Sequence, residues 1–441
     1  MRQRPRRFDA APAHRTFAVC TAALLLATSA AAQSSLQVPI QFDFLNPSAR
    51  SLALGSAFVG LADDATAALV NPAGLIALTR KEISAEVRYR RLDQPFLVGG
   101  RLSGPITGMG QDTVVGAQFE TITDSETSLS FASFVYPRGR FRVAGFWNDL
   151  IRVDQNFNSR GPFQNHGFDT RDTAFSAERT LTIGNYGVSA AVDLKHLWAG
   201  AGLLVQHFSL GFEFDRFAHV DFYEAPDPQK NFFHFSQDGD DTSVGAVVGA
   251  LVPISSAKVG VSYKRAPRFE FSSFSGGLLG TQQRTFSEFK VPDTFALGFS
   301  DQITPAFLIT TEYTRVFHSQ LFSDYVRLLA SQGESRDRID RFTIDDANEF
   351  HVGAEYLFAV AMRPGIRGGF WFDPDHSVHY APTPANDLLD ERIDANLSSG
   401  RDLWHYTLGG MVSLHPRVDV SGALDHSARS LVISTSVIVR F

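Results

Sequence analysis

The sequence predicts an all-β protein, a transmembrane antiparallel β-barrel of about 14 strands. Three observations support this prediction. A secretory leader opens the chain, segments of about ten residues with alternating hydrophobicity fill residues 81–441, and the chain ends in Phe441 on an apolar strand face. Such two-residue periodicity over about ten residues, separated by turns, is the signature of outer-membrane strands.

Composition excludes several other classes of protein. With 44% apolar residues the chain can bury a large core, so it is not disordered. The formal charge is −7 and no basic block follows the N-terminus, so the sequence does not indicate a surface that binds nucleic acid. After the leader, the longest apolar run is Val244 to Val252, far short of the roughly 20 residues of a spanning helix.

Residues 1–32 have the three parts of a secretory signal peptide. An apolar stretch from Phe17 to Ala27 precedes Ala30-Ala31-Ala32, after which cleavage is expected. The basic residues before it are Arg2, Arg4, Arg6, Arg7 and Arg15. The general secretory route is favoured over a twin-arginine route because an exported barrel crosses unfolded. Cys20, the sole cysteine, leaves with the signal peptide, so the mature chain has no disulfide and no cysteine-ligated metal.

The barrel is predicted to comprise residues 81–441, and its strands follow from the alternation. The predicted strands lie near 82–91, 127–137, 139–149, 181–194, 199–214, 242–252, 257–270, 291–301, 305–317, 348–360, 362–373, 401–414, 417–426 and 428–441. Val114 to Ile122 also alternates, but a fifteenth strand would break the even count, so it is assigned to the first external loop. Short turns at one end and longer segments at the other are typical of this class of barrel.

A soluble secreted β-sandwich or propeller is the alternative fold. It does not explain why one face of the strands carries mostly Val, Leu, Ile, Phe and Tyr while the other carries charges and small residues. Lipid outside and a polar interior explain that division. The terminal Phe441 resembles the recognition signal of the barrel-assembly machinery, which is therefore an expected partner during biogenesis, together with outer-membrane lipid.

Residues 33–80 do not alternate and are rich in Ala and Gly. They contain Ala62-Asp63-Asp64-Ala65 and, further on, Asn71-Pro72-Ala73. This segment resembles the N-terminal hatch of the FadL-type family of outer-membrane transporters for long-chain fatty acids and other hydrophobic compounds. The resemblance implies a hatch inside the barrel lumen, uptake of a hydrophobic ligand, and release through a lateral opening in the wall.

In that family the opening comes from an inward kink in the third strand. The matching strand here begins at Arg140, and Gly145 is the candidate kink, because glycine weakens a strand and can mark a bend. The alternative is that Gly145 only packs against a neighbour.

Inward-facing arginines are candidates for binding a ligand carboxylate, to which the guanidinium fork is well suited. Two have an inward aromatic neighbour for an acyl chain: Arg142 near Phe146, and Arg367 near Trp371. The alternative is that these charges hold the hatch in place. The loop phenylalanines are similarly open to two interpretations, a hydrophobic capture surface or packing between loops.

No catalytic or metal site is expected. The sequence has no Gly-x-Ser-x-Gly elbow, phosphate-binding glycine loop or His-Glu-x-x-His pair, and Asp373, Asp375, His376 and His379 fit no standard metal-binding loop. We therefore predict a non-enzymatic protein without cofactor or metal, located in the bacterial outer membrane.

The sequence leaves two functions open. One is passive uptake of hydrophobic small molecules such as long-chain fatty acids; the other is a FadL-like barrel that docks a protein partner in a secretion system, like the member in the type-nine machinery. The hatch motif occurs in both groups, and the Phe-rich loops favour uptake.

Overall fold

The computed structural model describes residues 44–277, 283–324 and 335–441, most of them in strands. The predicted signal peptide, residues 1–32, lies outside the described residues. The strands are β1 Glu82–Arg101, β2 Gly116–Arg138, β3 Phe141–Ser159, β4 Phe163–Asn165, β5 Asp169–Arg171, β6 Ala174–Asp193, β7 Trp198–His219, β8 Pro226–Ile254, β9 Ala257–Arg265, β10 Arg268–Gly277, β11 Gln283–Lys290, β12 Thr294–Thr304, β13 Phe307–Val316, β14 Phe342–Ile344, β15 Ala347–Leu357, β16 Gly365–Asp373, β17 Val378–Tyr380, β18 Leu403–His415, β19 Val418–His426 and β20 Ser430–Arg440.

The strands form a closed antiparallel ring, which β20 completes by pairing with β1 from Glu82↔Arg440 to Leu92↔Ser430. Two strands of the ring are each divided into two pieces at a proline. Pro267 separates β9 from β10, and Pro292 separates β11 from β12. Counted as single members, they give a ring of 14 strands, so the predicted barrel is confirmed. Each of the 14 predicted segments overlaps a different one of the 14 ring members.

The assignment of Val114 to Ile122 to an external loop was wrong. Gly116 to Ile122 is the outer end of β2, and it pairs with β1 up to Gly100↔Ala117. The prediction failed because it treated this stretch as a separate fifteenth strand. It is a continuation of the second strand, so the even count is preserved.

Alternation decides which side chains face outward. On β20, Ile433 is 43% exposed while its neighbours Ser434 and Ser436 are buried inside the ring. The last residue, Phe441, is half exposed and donates its backbone N–H to the Lys81 carbonyl at 3.0 Å. An apolar outer face around a closed ring is the architecture of a bacterial outer-membrane barrel.

The ring has a tall half and a short half. Strands β1, β2, β3, β6, β7 and β8 have 19 to 29 residues, whereas a tilted strand crosses a bilayer in about 9–11. From β13 onward the ring strands have 9 to 13 residues. Over this short half, a small lobe combines the β14–β17 pair with helices α3 Arg336–Ile339 and α4 Leu388–Leu397.

Residues 44–78 fold as short helical turns, which are α1 Ala49–Ala53, α2 Ala67–Val70 and a 3-10 helix at Pro72–Ala77. We call residues 44–78 the luminal segment, because they are largely buried and bond to ring strands on several sides. Close approach to the wall needs inward glycines: a Cβ at Gly298 would lie 2.3 Å from the Gly60 nitrogen. Among the described residues no helix is long and apolar enough to cross a membrane.

Candidate ligand path through the barrel

Carboxylates on the wall hold the luminal segment. Because that segment has little regular structure, its backbone N–H groups need partners from elsewhere. Glu312 on β13 accepts hydrogen bonds from the backbone nitrogens of Phe58 and Val59, at 2.7 and 2.6 Å. Glu82 at the start of β1 accepts one from Ala65 at 2.8 Å. Hydrogen bonds to a charged acceptor are stronger than neutral ones, so these contacts anchor the segment.

An ion-pair network adds a second anchor. Arg50 of α1 pairs with Asp63 at 2.5 Å and with Glu355 on β15 at 3.0 Å. Glu355 also pairs with Arg367 on β16 at 2.5 Å, and Arg367 donates to Ser421 at 3.0 Å. The guanidinium of Arg367, a predicted ligand-binding group, is therefore engaged by the wall and the network.

The predicted hatch motif lies in the luminal segment. Asn71 is fully buried; its Nδ2 donates to the carbonyls of Val59 at 3.0 Å and of Ala250 on β8 at 3.2 Å. Its Oδ1 accepts from the Ala73 nitrogen at 3.3 Å, and Pro72 is the first residue of the 3-10 helix. Asn71 thus caps a helix and also ties the segment to the wall.

The paired acids of the motif differ in role. Asp63 pairs with Arg50, while Asp64 accepts from the Thr66 backbone nitrogen at 2.9 Å and closes a tight turn. Burial raises the pKa of Asp64 above its ordinary value of 3.8.

Arg142 and Phe146 meet the luminal segment rather than an open cavity. Arg142 donates to the Leu78 carbonyl at 2.5 Å, and Phe146 packs in an apolar cluster with segment residues such as Leu69 and Leu75. Trp371, in contrast, lines an inner cavity beside the segment. Its Nε1 donates to Asp425 at 2.7 Å and its ring stacks on His405 at 3.8 Å. Ligand binding by these residues stays a prediction.

The wall has an interrupted seam between β2 and β3. Their ladder runs only from Arg138↔Phe141 to Phe131↔Asn148, although β2 continues on β1 and β3 continues on β6. Within β3 the register against β6 shifts between Asp149 and Ile151, which is a β-bulge at Leu150. Beyond Asn148 the edges of β2 and β3 facing each other share no ladder.

Beyond the bulge, β3 turns toward β1. Gln155 Nε2 donates to Gln94 at 3.4 Å, and the rings of Phe157 and Phe96 lie 5.6 Å apart. Because β1 is two strands away along the wall, this part of β3 bends inward. Gly145, the predicted kink, lies in regular register with Phe134 and Val188 on the outer face, five residues before the bulge.

A central cavity lies between the luminal segment and this seam. Its lining residues are Phe44, Leu45, Pro47, Leu69, Asn148, Leu150, Asn185, Leu204, Gln206, Lys264, Arg265, Ala266, Val291, Pro292 and Thr294. Leu45, Asn148 and Leu150 also line a further cavity at the seam itself. The inner cavity, lined by Trp371, shares Lys264 and Phe44 with the central one.

An apolar column rises from the central cavity toward the external end. Its lower part joins Val291 and Leu150 to Phe208, which stacks on Phe269 at 4.9 Å. Its upper part is a cluster of buried rings, comprising Phe96, Phe157, Phe175, Phe212, Phe214, Phe233 and Phe235. Among the phenylalanines that the sequence places in loops, Phe168 and Phe222 are exposed, whereas a larger group is buried: Phe157, Phe163, Phe175, Phe233 and Phe235.

Sequence reasoning missed the bulge and the carboxylate anchors. A signal for the bulge was present: inward positions run through Phe146 and Asn148, and then resume at Ile151 and Val153. The adjacent pair Leu150-Ile151 breaks the two-residue period there. No comparable signal marks Glu312, whose role depends on which residues lie across the lumen.

Metal chemistry finds no support in the described part of the chain, where no group of three potential ligands is placed to hold an ion. His376 contacts Asp373 at 3.3 Å, and His379 contacts Asp375 at 3.5 Å, each as a separate pair.

The closed 14-stranded ring resembles the fold of FadL-type outer-membrane transporters, and solved structures share it. The chain is similar to a Pseudomonas aeruginosa FadL homologue, with 15% identity and a TM-score of 0.59, over 91% of this chain and 100% of that one. It is also similar to the Ralstonia pickettii toluene transporter TbuX, with 14% identity and a TM-score of 0.56, over 91% and 100% of the two chains.

A third similar structure is the CymD monoaromatic hydrocarbon channel, with 12% identity, a TM-score of 0.55, and 91% and 99% of the two chains covered. At these identities the likeness establishes the fold. No protein-family model and no curated protein matches the sequence.

Proposed function

We propose that this protein is an outer-membrane channel for passive uptake of hydrophobic small molecules, such as long-chain fatty acids, with lateral release through the seam between β2 and β3. The luminal segment acts as the hatch that blocks the direct route to the periplasm. In this proposal the ligand passes from the apolar column to the central cavity and leaves sideways into the membrane.

The main support for the proposal is that the central cavity and the seam cavity both lie where the β2–β3 ladder stops. The β2–β3 ladder stops at Phe131↔Asn148, and Asn148 and Leu150 line both the central cavity and the seam cavity. An apolar ligand in the central cavity would reach a break in the wall without crossing the hydrogen-bonded luminal segment. Release into lipid keeps apolar surface out of water, which is favourable.

The similar structures support a hydrophobic cargo, since one is a toluene transporter and another is a monoaromatic hydrocarbon channel. The docking alternative does not require an apolar route. The two apolar clusters, one of external phenylalanines and one that reaches Leu150 at the seam, favour uptake.

The bulge gives a direct test. Deleting Leu150 restores the two-residue period of β3, because Ile151 then follows Asn148 at the next inward position. The β2–β3 ladder can then continue and close the seam. We expect uptake of a hydrophobic compound into proteoliposomes or cells to fall at least tenfold, while the barrel still shows heat-modifiable migration.

The matched control is Leu150→Ala, which keeps the bulged backbone and removes only side-chain atoms, so it should retain most of the uptake. Equal uptake by the deletion and the wild type would refute lateral release at this seam. Loss of uptake in both variants would implicate the side chain instead of the opening.

A further inference from the structure

The central cavity contains a ladder of carboxamide side chains that ends at the ligand space. Asn148 on β3, Asn185 on β6 and Gln206 on β7 are adjacent in the wall, and all three are nearly fully buried. Asn185 Nδ2 donates to Asn148 Oδ1 at 3.0 Å, and Gln206 Nε2 donates to Asn185 Oδ1.

A backbone carbonyl fixes the direction of this ladder. Asn148 Nδ2 lies 3.1 Å from the carbonyl oxygen of Ser130, which can only accept a hydrogen bond. Asn148 must therefore present its Nδ2 to Ser130 and its Oδ1 to Asn185. Asn185 therefore uses its Nδ2 toward Asn148 and its Oδ1 toward Gln206. Gln206 must then donate through its Nε2, and its Oε1 is left for another partner.

That terminal acceptor is unpaired within the described residues. Gln206 is 2% exposed, and its Oε1 accepts no hydrogen bond there. A buried acceptor without a partner is costly and is rare in folded proteins. Gln206 lines the central cavity, where the neighbouring lining side chains Leu69, Leu150 and Leu204 are apolar. A donor group on a ligand that enters the cavity beside Gln206 would satisfy this acceptor.

We infer that the preferred ligand is a hydrophobic molecule carrying a hydroxyl group, a phenol or an alcohol, whose O–H donates to Gln206 Oε1 in the central cavity. A pure hydrocarbon leaves this acceptor unpaired. A carboxylate brings a second acceptor to it, and two acceptors repel. The inference rests on the proposed function, because it takes the central cavity to be the site that the ligand occupies during uptake.

Lys264 provides the main alternative outcome, which is a preference for a ligand that carries a carboxylate. It lines both the central and the inner cavity, and its ammonium group interacts electrostatically with Glu312. An ammonium group can donate to the oxygen of a hydroxyl, and it would also attract a carboxylate. The test therefore compares a hydroxyl, a hydrocarbon and a carboxylate on one aromatic framework.

The probes are 2-naphthol, naphthalene and 2-naphthoate. Their binding to the full-length barrel in lipid nanodiscs is measured at neutral pH by equilibrium dialysis and corrected for empty nanodiscs. One hydrogen bond to a buried neutral acceptor corresponds to about a threefold to tenfold preference. We expect the wild type to bind 2-naphthol more tightly than either other probe by about that factor.

The Gln206→Leu variant should lose this preference while retaining naphthalene binding, because it removes the acceptor and keeps an apolar side chain. Gln155→Leu is the matched control: Gln155 is an equally buried carboxamide that does not line the central cavity, so the preference should survive there.

Equal binding of 2-naphthol and naphthalene by the wild type would overturn the inference, as would tighter binding of 2-naphthoate or a preference that survives Gln206→Leu. Each of these results leaves the proposed uptake of hydrophobic compounds standing. Binding of none of the three probes would overturn both proposals.

Discussion

The two halves of the lumen are held together by different forces. Toward the periplasmic end, the luminal segment is fixed by directional bonds, such as the two that Glu312 accepts and the Arg50–Glu355 pair. Toward the external end, the lumen is filled by phenylalanines such as Phe208 and Phe175, whose packing has little directional requirement. Directional bonds specify one arrangement, whereas apolar packing can re-form around a guest. The lower half is suited to being a barrier and the upper half to being a path.

The largest effect should follow from removing the main anchor of the lower half. Glu312→Ala leaves the backbone N–H groups of Phe58 and Val59 without their acceptor, and each bond to a charged acceptor contributes about 1.5–3 kcal/mol. We expect the luminal segment to loosen while the β-ladder holds the barrel. Labelling of Ser56→Cys, introduced into a chain whose single natural cysteine is Cys20, should accelerate at least tenfold.

Glu312→Gln provides the control, because its amide oxygen can still accept one or both hydrogen bonds. Labelling as slow in Glu312→Ala as in the wild type would show that this carboxylate does not hold the segment.

A second prediction concerns the upper half. Phe208 is fully buried and stacks on Phe269 at 4.9 Å and on Phe289 at 5.7 Å. Phe208→Ala should destabilise the barrel by about 3–5 kcal/mol, as other large-to-small core substitutions do. Heat or denaturant unfolding would measure this loss, and labelling at Ser56→Cys should stay unchanged.

For comparison, Phe286→Ala removes a ring that is 74% exposed and should alter stability little. If Phe208→Ala also accelerates labelling of the luminal segment, the two halves are coupled and the division between them fails.

The smallest effect is expected at the seam, where one ion pair crosses from β3 to β2. Arg152 Nε lies 2.9 Å from Glu126 Oε1, and both side chains are partly exposed. Exposed pairs contribute about 0.2–1 kcal/mol, so Arg152→Met should speed release by no more than about fivefold. Arg91→Met is the control, because the Arg91–Asp93 pair lies on β1 outside the seam. A lower uptake rate in Arg152→Met would contradict the idea that the Arg152–Glu126 pair restrains release at the seam.

The sequence predicted the parts of the fold that depend on local periodicity. The alternation on β20, from Leu431 to Val439, follows from lipid outside and a polar interior, and it is visible in one strand at a time. Asn71-Pro72-Ala73, which resembles a hatch motif, lies in the luminal segment that bonds to the ring strands, and a hatch stays a proposal.

Other features could not be predicted because they depend on contacts across the lumen. Arg142 and Arg367 were correctly expected to face inward, but their partners, Leu78 and Glu355, are remote in sequence. The carboxamide ladder likewise joins three strands, and its direction is set by a carbonyl on a fourth. Alternation shows which face a residue occupies, and it carries no information on which residue lies opposite.

The most direct test of the central claim is to map where a ligand lies while it passes through the barrel. A hydrophobic diazirine probe would be added to wild-type barrel in proteoliposomes, activated by light, and its attachment sites identified by mass spectrometry. Lateral release predicts labelling at Leu150, Asn148 and Ser130, with Leu78 and Arg142 at the periplasmic end unlabelled. Labelling along the luminal segment down to Leu78, without labelling at Leu150, would contradict the account and place the exit through the hatch.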